Sequence, residues 1–188
     1  KSEGTEKAVF FDGEYSFGGG WSAGLGGRFY KTSTAFQQTG TVFGAPSNGP
    51  RLAGGDDGNT PKASVKYRFG NNNLWYAVAA KGYRYGGVNE GPPQSTFKSD
   101  SLWNYETGLR LAPAPGVQLD LSAFLLDWKD AQFTYFELRG QLPFSGIGNV
   151  GKARSTGLEA ALRWRIDSAF DVSASLASID ATTTRDVH

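Results

Sequence analysis

The chain has 188 residues, with 26 Gly, 14% aromatic residues, no Cys and no Met, and its 19 Lys+Arg nearly cancel 18 Asp+Glu. No cysteine means no disulfide framework, thiolate metal site or thiol nucleophile, and the single histidine, His188, leaves no histidine triad or His cluster. The near-neutral balance argues against a general nucleic-acid binder, so the composition implies no enzyme, no catalytic residues, no cofactor, no metal site and no nucleic-acid partner.

In chain order, Lys1–Lys7 (KSEGTEK) has no apolar leader run. Period-2 alternation then predicts strands over Ala8–Phe17 and Trp21–Phe36, joined by a tight Gly18–Gly20 turn. Gln37–Pro61 reads as a long connection. Its Gly54–Asn59 stretch (GGDDGN) is oxygen-rich but lacks the spacing and closing Glu of an EF-hand loop, and reads as a solvated turn. Strands follow over Lys62–Phe69 and Leu74–Tyr83 around the turn Gly70–Asn73. A long connection, Arg84–Ser101, leads to Leu102–Leu111. The turn Ala112–Gly116 precedes Val117–Gln132, and a third long connection covers Phe133–Lys152. Ala153–Ile166 and Phe170–Ile179 close the series around Asp167–Ala169. Helical periodicity is almost absent.

Short and long connections alternate strictly, as expected for an up-and-down meander with all tight turns at one end. In Gly157–Ile166, Leu158, Ala160, Leu162, Trp164 and Ile166 share one face, opposite Glu159, Ala161, Arg163 and Arg165. Two predicted strands run to about sixteen residues, roughly 50 Å, longer than a soluble sandwich uses. No run is long and apolar enough for a membrane helix, but mean hydropathy, −0.40, averages away the alternation of a membrane strand. Phe17 and Trp21, Phe69 and Tyr76, and Trp164 and Phe170 flank three of the short turns, as a lower aromatic girdle would. Trp103, Tyr105 and Trp128 fit an upper one. The reading is an all-β, antiparallel, up-and-down transmembrane barrel segment, about eight strands of a larger barrel, meeting outer-membrane lipid. A self-contained eight-stranded passive outer-membrane barrel and a soluble β-rich binding module are the alternatives.

The polar face carries Asp12, Glu14, Arg28, Lys66, Arg68, Glu106, Arg110, Asp120, Glu159, Arg163, Arg165 and Asp171. Arg28, Arg68, Glu106, Arg110, Glu159 and Arg163 are expected to face the lumen. Gly82, Gly86 and Gly87 are expected to bend the chain and to permit positive φ where the strand leaves the membrane. Arg84, Tyr85, Asn89, Tyr135, Phe136, Arg139 and Phe144 lie in the long connections, where an outer mouth would meet a ligand. Thr182–His188 lacks an apolar face and is expected to fray.

Several runs resemble the barrel of TonB-dependent outer-membrane receptors. They are Thr60-Pro61-Lys62, Lys81–Asn89 (KGYRYGGVN), Leu102–Arg110 (LWNYETGLR), Asp127–Gln132 (DWKDAQ) and Asn149–Glu159 (NVGKARSTGLE). They follow the family's order over Thr60–Ile179, with Ala8–Tyr30 fitting more loosely. The resemblance implies a barrel of about twenty-two strands in the bacterial cell outer membrane, with a plug domain inside. It implies uptake of a small-molecule ligand, such as an iron chelate of the ferric siderophore type, driven by a TonB-type energy transducer. The plug, the TonB box, a signal peptide and the aromatic-ended closing strand have no counterpart here, so 1–188 is expected to be a partial barrel from the interior or later part of such a receptor. Glu106, Arg110 and Glu159 are where a plug would find partners.

Overall fold

In the computed structural model, which describes residues 2–42, 45–89, 95–149 and 151–184, the described residues form strands and turns without a helix. In chain order the strands are β1 (Ser2–Gly18), β2 (Trp21–Val42), β3 (Ala45–Asn59), β4 (Lys62–Phe69), β5 (Asn73–Arg84), β6 (Gly87–Asn89), β7 (Ser95–Phe97), β8 (Asp100–Ala114), β9 (Val117–Lys129), β10 (Gln132–Arg139), β11 (Leu142–Asn149), β12 (Lys152–Arg165) and β13 (Asp171–Thr184). One large sheet runs β1-β2-β4-β5-β8-β9-β12-β13, with β3 paired to β2. Every pairing in it is antiparallel, so the meander and its eight principal strands stand as read from the alternation. β1 and β13 are not paired with each other. These eight strands therefore form an open sheet, not a closed eight-stranded barrel.

The four short turns gather at one end. Gly18, Gly19 and Gly20 carry the first at φ of 87°, 58° and 87°, a region that disfavours side chains. Gly70 and Asn72 turn the second, and Gly116 the third, at positive φ. In the fourth, the Asp167 carboxylate accepts from the Ala169 and Phe170 amides, both at 2.8 Å, an Asx turn.

The opposite end departs from the expected long loops. β1 and β2 run well past Ala8 and Phe36, and Gln37–Pro61 is largely β3. The Gly54–Asn59 run is strand, not a solvated turn: Thr32 Oγ1 donates to the Asp56 carbonyl and accepts from its amide. Two small hairpins, β6–β7 and β10–β11, occupy the other two connections. β9 ends at Lys129, not Gln132, because Asp130 turns at φ 53° and Ala131 is fully buried. Thr182–Thr184 still pair with β12, where fraying was expected; 185–188 lie outside the described residues.

Register assigns the faces. Pairing puts Val9, Phe11, Leu25, Phe29, Val65, Ala77, Leu121, Leu158, Ala160, Leu162, Trp164 and Leu176 on one face. Val9, Leu25 and Leu176 are 74%, 68% and 75% exposed, and the buried apolar residues among those described are Phe36 and Ala131 alone. A soluble sandwich would cover such a face with a second layer; a bilayer covers it without one. Trp21 stacks on Tyr67 and abuts Trp75 edge-on, with ring centroids 4.4 and 6.1 Å apart, and Tyr67 stacks on Phe69. This is the lower girdle. Trp103 and Tyr105 stack in the upper one. Two expected members belong elsewhere: Tyr76 and Trp128 have the parity of the inner wall, because Tyr76 pairs with Lys66 and Trp128 with Leu102.

Register also explains much of the glycine. Gly27, Gly58, Gly87, Gly108, Gly146 and Gly157 sit directly across from Phe11, Tyr30, Phe97, Tyr76, Tyr135 and Phe124. In each pair the ring lies over the glycine, and a Cβ would meet it at 2.5–3.1 Å. An aromatic folded over a cross-strand glycine covers backbone that has no side chain of its own. Gly87 has this role, and a Cβ at Gly86 would collide with the Phe97 carbonyl. Neither these two nor Gly82 has positive φ, which corrects the positive φ expected there; Gly86 and Gly87 serve close approach.

Candidate functional site

The inner wall is charged, and its charges are matched between strands, from β4 across β2 to β1 and directly between β8 and β9. Lys62 pairs with Asp12 at 3.0 Å, and Lys66 with Glu14 at 2.5 Å. Arg110 pairs with Asp120 at 2.7 Å, and Gln118 donates to the same carboxylate. Glu106 accepts from the Tyr76 hydroxyl at 2.6 Å. Glu106 and Arg110, four apart on β8, thus partner their neighbours and not each other. Arg68, Glu159 and Arg163 also have inner parity, and they form no ion pair among the described residues.

At the mouth end Lys7 and Lys31 are directly opposed on the outward face, one step beyond Val9 and Phe29. Charges there mark the top of the apolar belt, about ten residues above Trp21, the length a membrane strand needs. Inward of this rim, Glu6 accepts from Arg28 and, at 2.8 Å, from the Tyr83 hydroxyl. The Tyr83 ring stacks on Tyr30, with centroids 3.6 Å apart and planes 6° from parallel. The Tyr83 bond, with Arg28 beside it, holds the Glu6 carboxyl below its ordinary range. Desolvation, then the Glu6 bond, pushes the Tyr83 hydroxyl up to about 12. Both directions favour the pair as found: carboxylate and neutral phenol.

Beside this cluster stands Arg84. Its Nε donates to both Asp100 oxygens at 3.2 and 3.1 Å, and its Nη2 to Asp100 at 2.5 Å and to the Gln132 carbonyl at 3.2 Å. The guanidinium lies 4.7 Å over the Trp128 ring, a favourable cation–π distance. Asp100 is 1% exposed, but Arg84 is 50% exposed. Arg28, Tyr83, Arg84, Tyr85, Val88 and Phe97 help to line one cleft of about 580 Å³. The Arg28 Nε on that wall is buried without a hydrogen-bond partner.

The mouth residues singled out in the sequence divide. Arg84 and Tyr85 line the cleft. Asn89 is spent on structure: its Nδ2 donates to the Ile147 carbonyl, and its Oδ1 accepts from the Ile147 amide, both at 2.8 Å. Tyr135 covers Gly146. Phe136 is 82% exposed on β10, Phe144 pairs across from Glu137 on β11, and the Arg139 side chain lies outside the described residues. The residues the sequence reading missed are Glu6, Asp100, Gln132 and Asn149. An acid at the first residue of a strand, as Asp100 is, was the one available signal. Among the described residues no cluster of His, Cys, Asp and Glu could hold a metal.

The TonB dependent receptor-like, beta-barrel family model matches residues 1–187. The Pesticin receptor of Yersinia pestis is 30% identical over 146 residues, covering 76% of this chain and 21% of that protein. The Pesticin receptor of Yersinia enterocolitica shows the same figures. The chain thus spans about a fifth of the length of these relatives. Among solved structures, the ferric yersiniabactin uptake receptor FyuA from Yersinia pestis superposes with a TM-score of 0.81 at 25% identity, over 98% of this chain and 28% of that one. The copper transporter OprC shares the fold, with a TM-score of 0.79 at 16% identity over 98% and 30%. With its alternating lipid belt, its charged inner wall and the family match along nearly its whole length, the chain belongs to the TonB-dependent receptors and carries part of their β-barrel.

Proposed function

We propose that the chain is the ligand-mouth portion of a receptor that takes up a scarce small molecule, such as a ferric siderophore, across a bacterial outer membrane. The observation that carries this reading is the cleft at the mouth end, where Arg84 is fixed in place but half exposed beside Tyr83, Tyr85 and Arg28. A fixed cation among aromatic rings suits an anionic, ring-bearing chelate. The likeness to a ferric yersiniabactin uptake receptor supports an iron chelate. Arg68, Glu159 and Arg163, without ion-pair partners on the inner wall, are where a plug domain would dock, and the plug would in turn answer to a TonB-type transducer. Selectivity then belongs to the mouth, with Arg84, Tyr85 and the β10–β11 hairpin as its contact residues.

Ferric yersiniabactin is the probe for a binding test on the membrane-embedded receptor. Tyr85→Ala and a deletion of 133–144 are each expected to weaken its retention roughly tenfold or more, the loss of one to two kcal/mol of contact. Unchanged retention in both would overturn the placement of the ligand at this mouth.

A further inference from the structure

We propose that Asp100 is a positioning residue that couples the two outer hairpins and aims Arg84. Its carboxylate is 1% exposed and receives two different groups. One is the Arg84 guanidinium at the end of β5. The other is the Gln132 backbone amide, 2.9 Å from Oδ2, at the root of β10. Asp100 itself opens β8, directly after β7 and the short link 98–99. Three separate stretches of chain therefore meet on one buried charge.

Two amide side chains extend the junction. Gln132 Nε2 donates to the Tyr85 carbonyl at 3.1 Å and to the Lys98 carbonyl at 2.9 Å. Asn149, at the end of β11, accepts from the Lys98 amide at 2.8 Å and donates to the Lys98 and Asp130 carbonyls. Farther out, the two hydrogen bonds between the Asn89 amide side chain and the Ile147 backbone tie β6 to β11. None of these links is a strand pairing. Each satisfies backbone groups that the hairpins leave unpaired where they depart from the main sheet. A buried carboxylate with charge-assisted bonds is the strongest of them and the costliest to lose. The hairpins therefore move together, and Arg84 keeps its aim at the cleft only while they are joined.

Hydrogen exchange on the full receptor in detergent micelles tests this. Asp100→Asn keeps the size and removes the charge. Exchange is expected to rise roughly tenfold in both 95–98 and 132–139, with β4 and β12 unchanged. A rise in one hairpin alone, in neither, or evenly across the sheet overturns the coupling. If Asp100→Asn does not fold, Asp100→Glu keeps the charge but shifts the carboxylate away from the Gln132 amide; a joint rise at 95–98 and 132–139 then supports the proposal, and a rise in one of them alone or in neither overturns it. The aiming of Arg84 rests on the ligand-mouth reading and has a separate readout. Coupled exchange with unaltered retention of ferric yersiniabactin in Asp100→Asn would remove the aiming of Arg84 and leave the coupling standing; the mouth reading falls only if Tyr85→Ala and the 133–144 deletion also leave retention unchanged.

Discussion

The turn-side half of the sheet and its mouth-side half use different chemistry. On the turn side, backbone groups pair along full ladders, and side chains only need to sort by face. Ion pairs there join adjacent strands, as in Arg110–Asp120 between β8 and β9, or pass over a single strand, as in Glu14–Lys66 across β2. On the mouth side the β1–β2–β3 ladder continues, but where the β6–β7 and β10–β11 hairpins leave the main sheet the ladders lapse, and amide side chains satisfy backbone groups far away in the chain: Asn89 with Ile147, Asn149 with Lys98. Where strand pairing supplies the hydrogen bonds, sequence alternation is enough to specify structure; where it lapses, individual side chains must do so.

The largest expected effect lies in the lipid belt. Leu158→Arg, midway between Trp164 and the mouth end of β12, is expected to cost about 2–4 kcal/mol, and Leu162→Arg less because it lies closer to the girdle. Denaturant unfolding from lipid vesicles measures both. Equal costs, or a larger one at Leu162, would break the belt as drawn. Next come the glycine–aromatic pairs. Gly108→Val is expected to cost about 1–3 kcal/mol, because its side chain must displace the Tyr76 ring, 2.7 Å from the new Cβ. The double variant Gly108→Val, Tyr76→Ala should recover much of that loss. No recovery would show that the glycine answers to something other than the ring.

A smaller effect separates the mouth from the belt by pH. With its pKa lowered from 4.5, Glu6 contributes stability that is present above that value and is lost as pH falls through the lower one. Tyr83, pushed up from 10.0 to about 12, contributes stability present below 10 and lost as pH rises through about 12. Tyrosinate absorbance follows the second transition, and Glu6→Gln should move it downward. A transition that stays in place would separate Tyr83 from Glu6. Smallest of all, Arg68→Gln and Glu159→Gln should leave unfolding of this sheet within about 0.5 kcal/mol, as expected of wall charges without an ion pair; a larger change would show that each is already partnered.

Much was determined by the sequence alone. Alternation as in Gly157–Ile166, and turn residues (Gly, Asn, Pro or Asp) at each tight turn, were sufficient for eight antiparallel strands in a meander, because a period of two leaves one choice of face once the register is set. That Arg28, Arg68, Glu106, Arg110, Glu159 and Arg163 share the face opposite the apolar belt followed from the same rule. Other features were decided only by tertiary structure. That Tyr76 and Trp128 turn inward, that Gly108 and Gly157 lie beneath rings, that Asn89 is a clamp, and that Asp100 holds Arg84 all depend on which residue stands across from which, or on contacts between segments far apart in the chain. Local periodicity carries no information about a partner on another strand, and backbone groups at the mouth take whichever side chain the folded chain brings within reach.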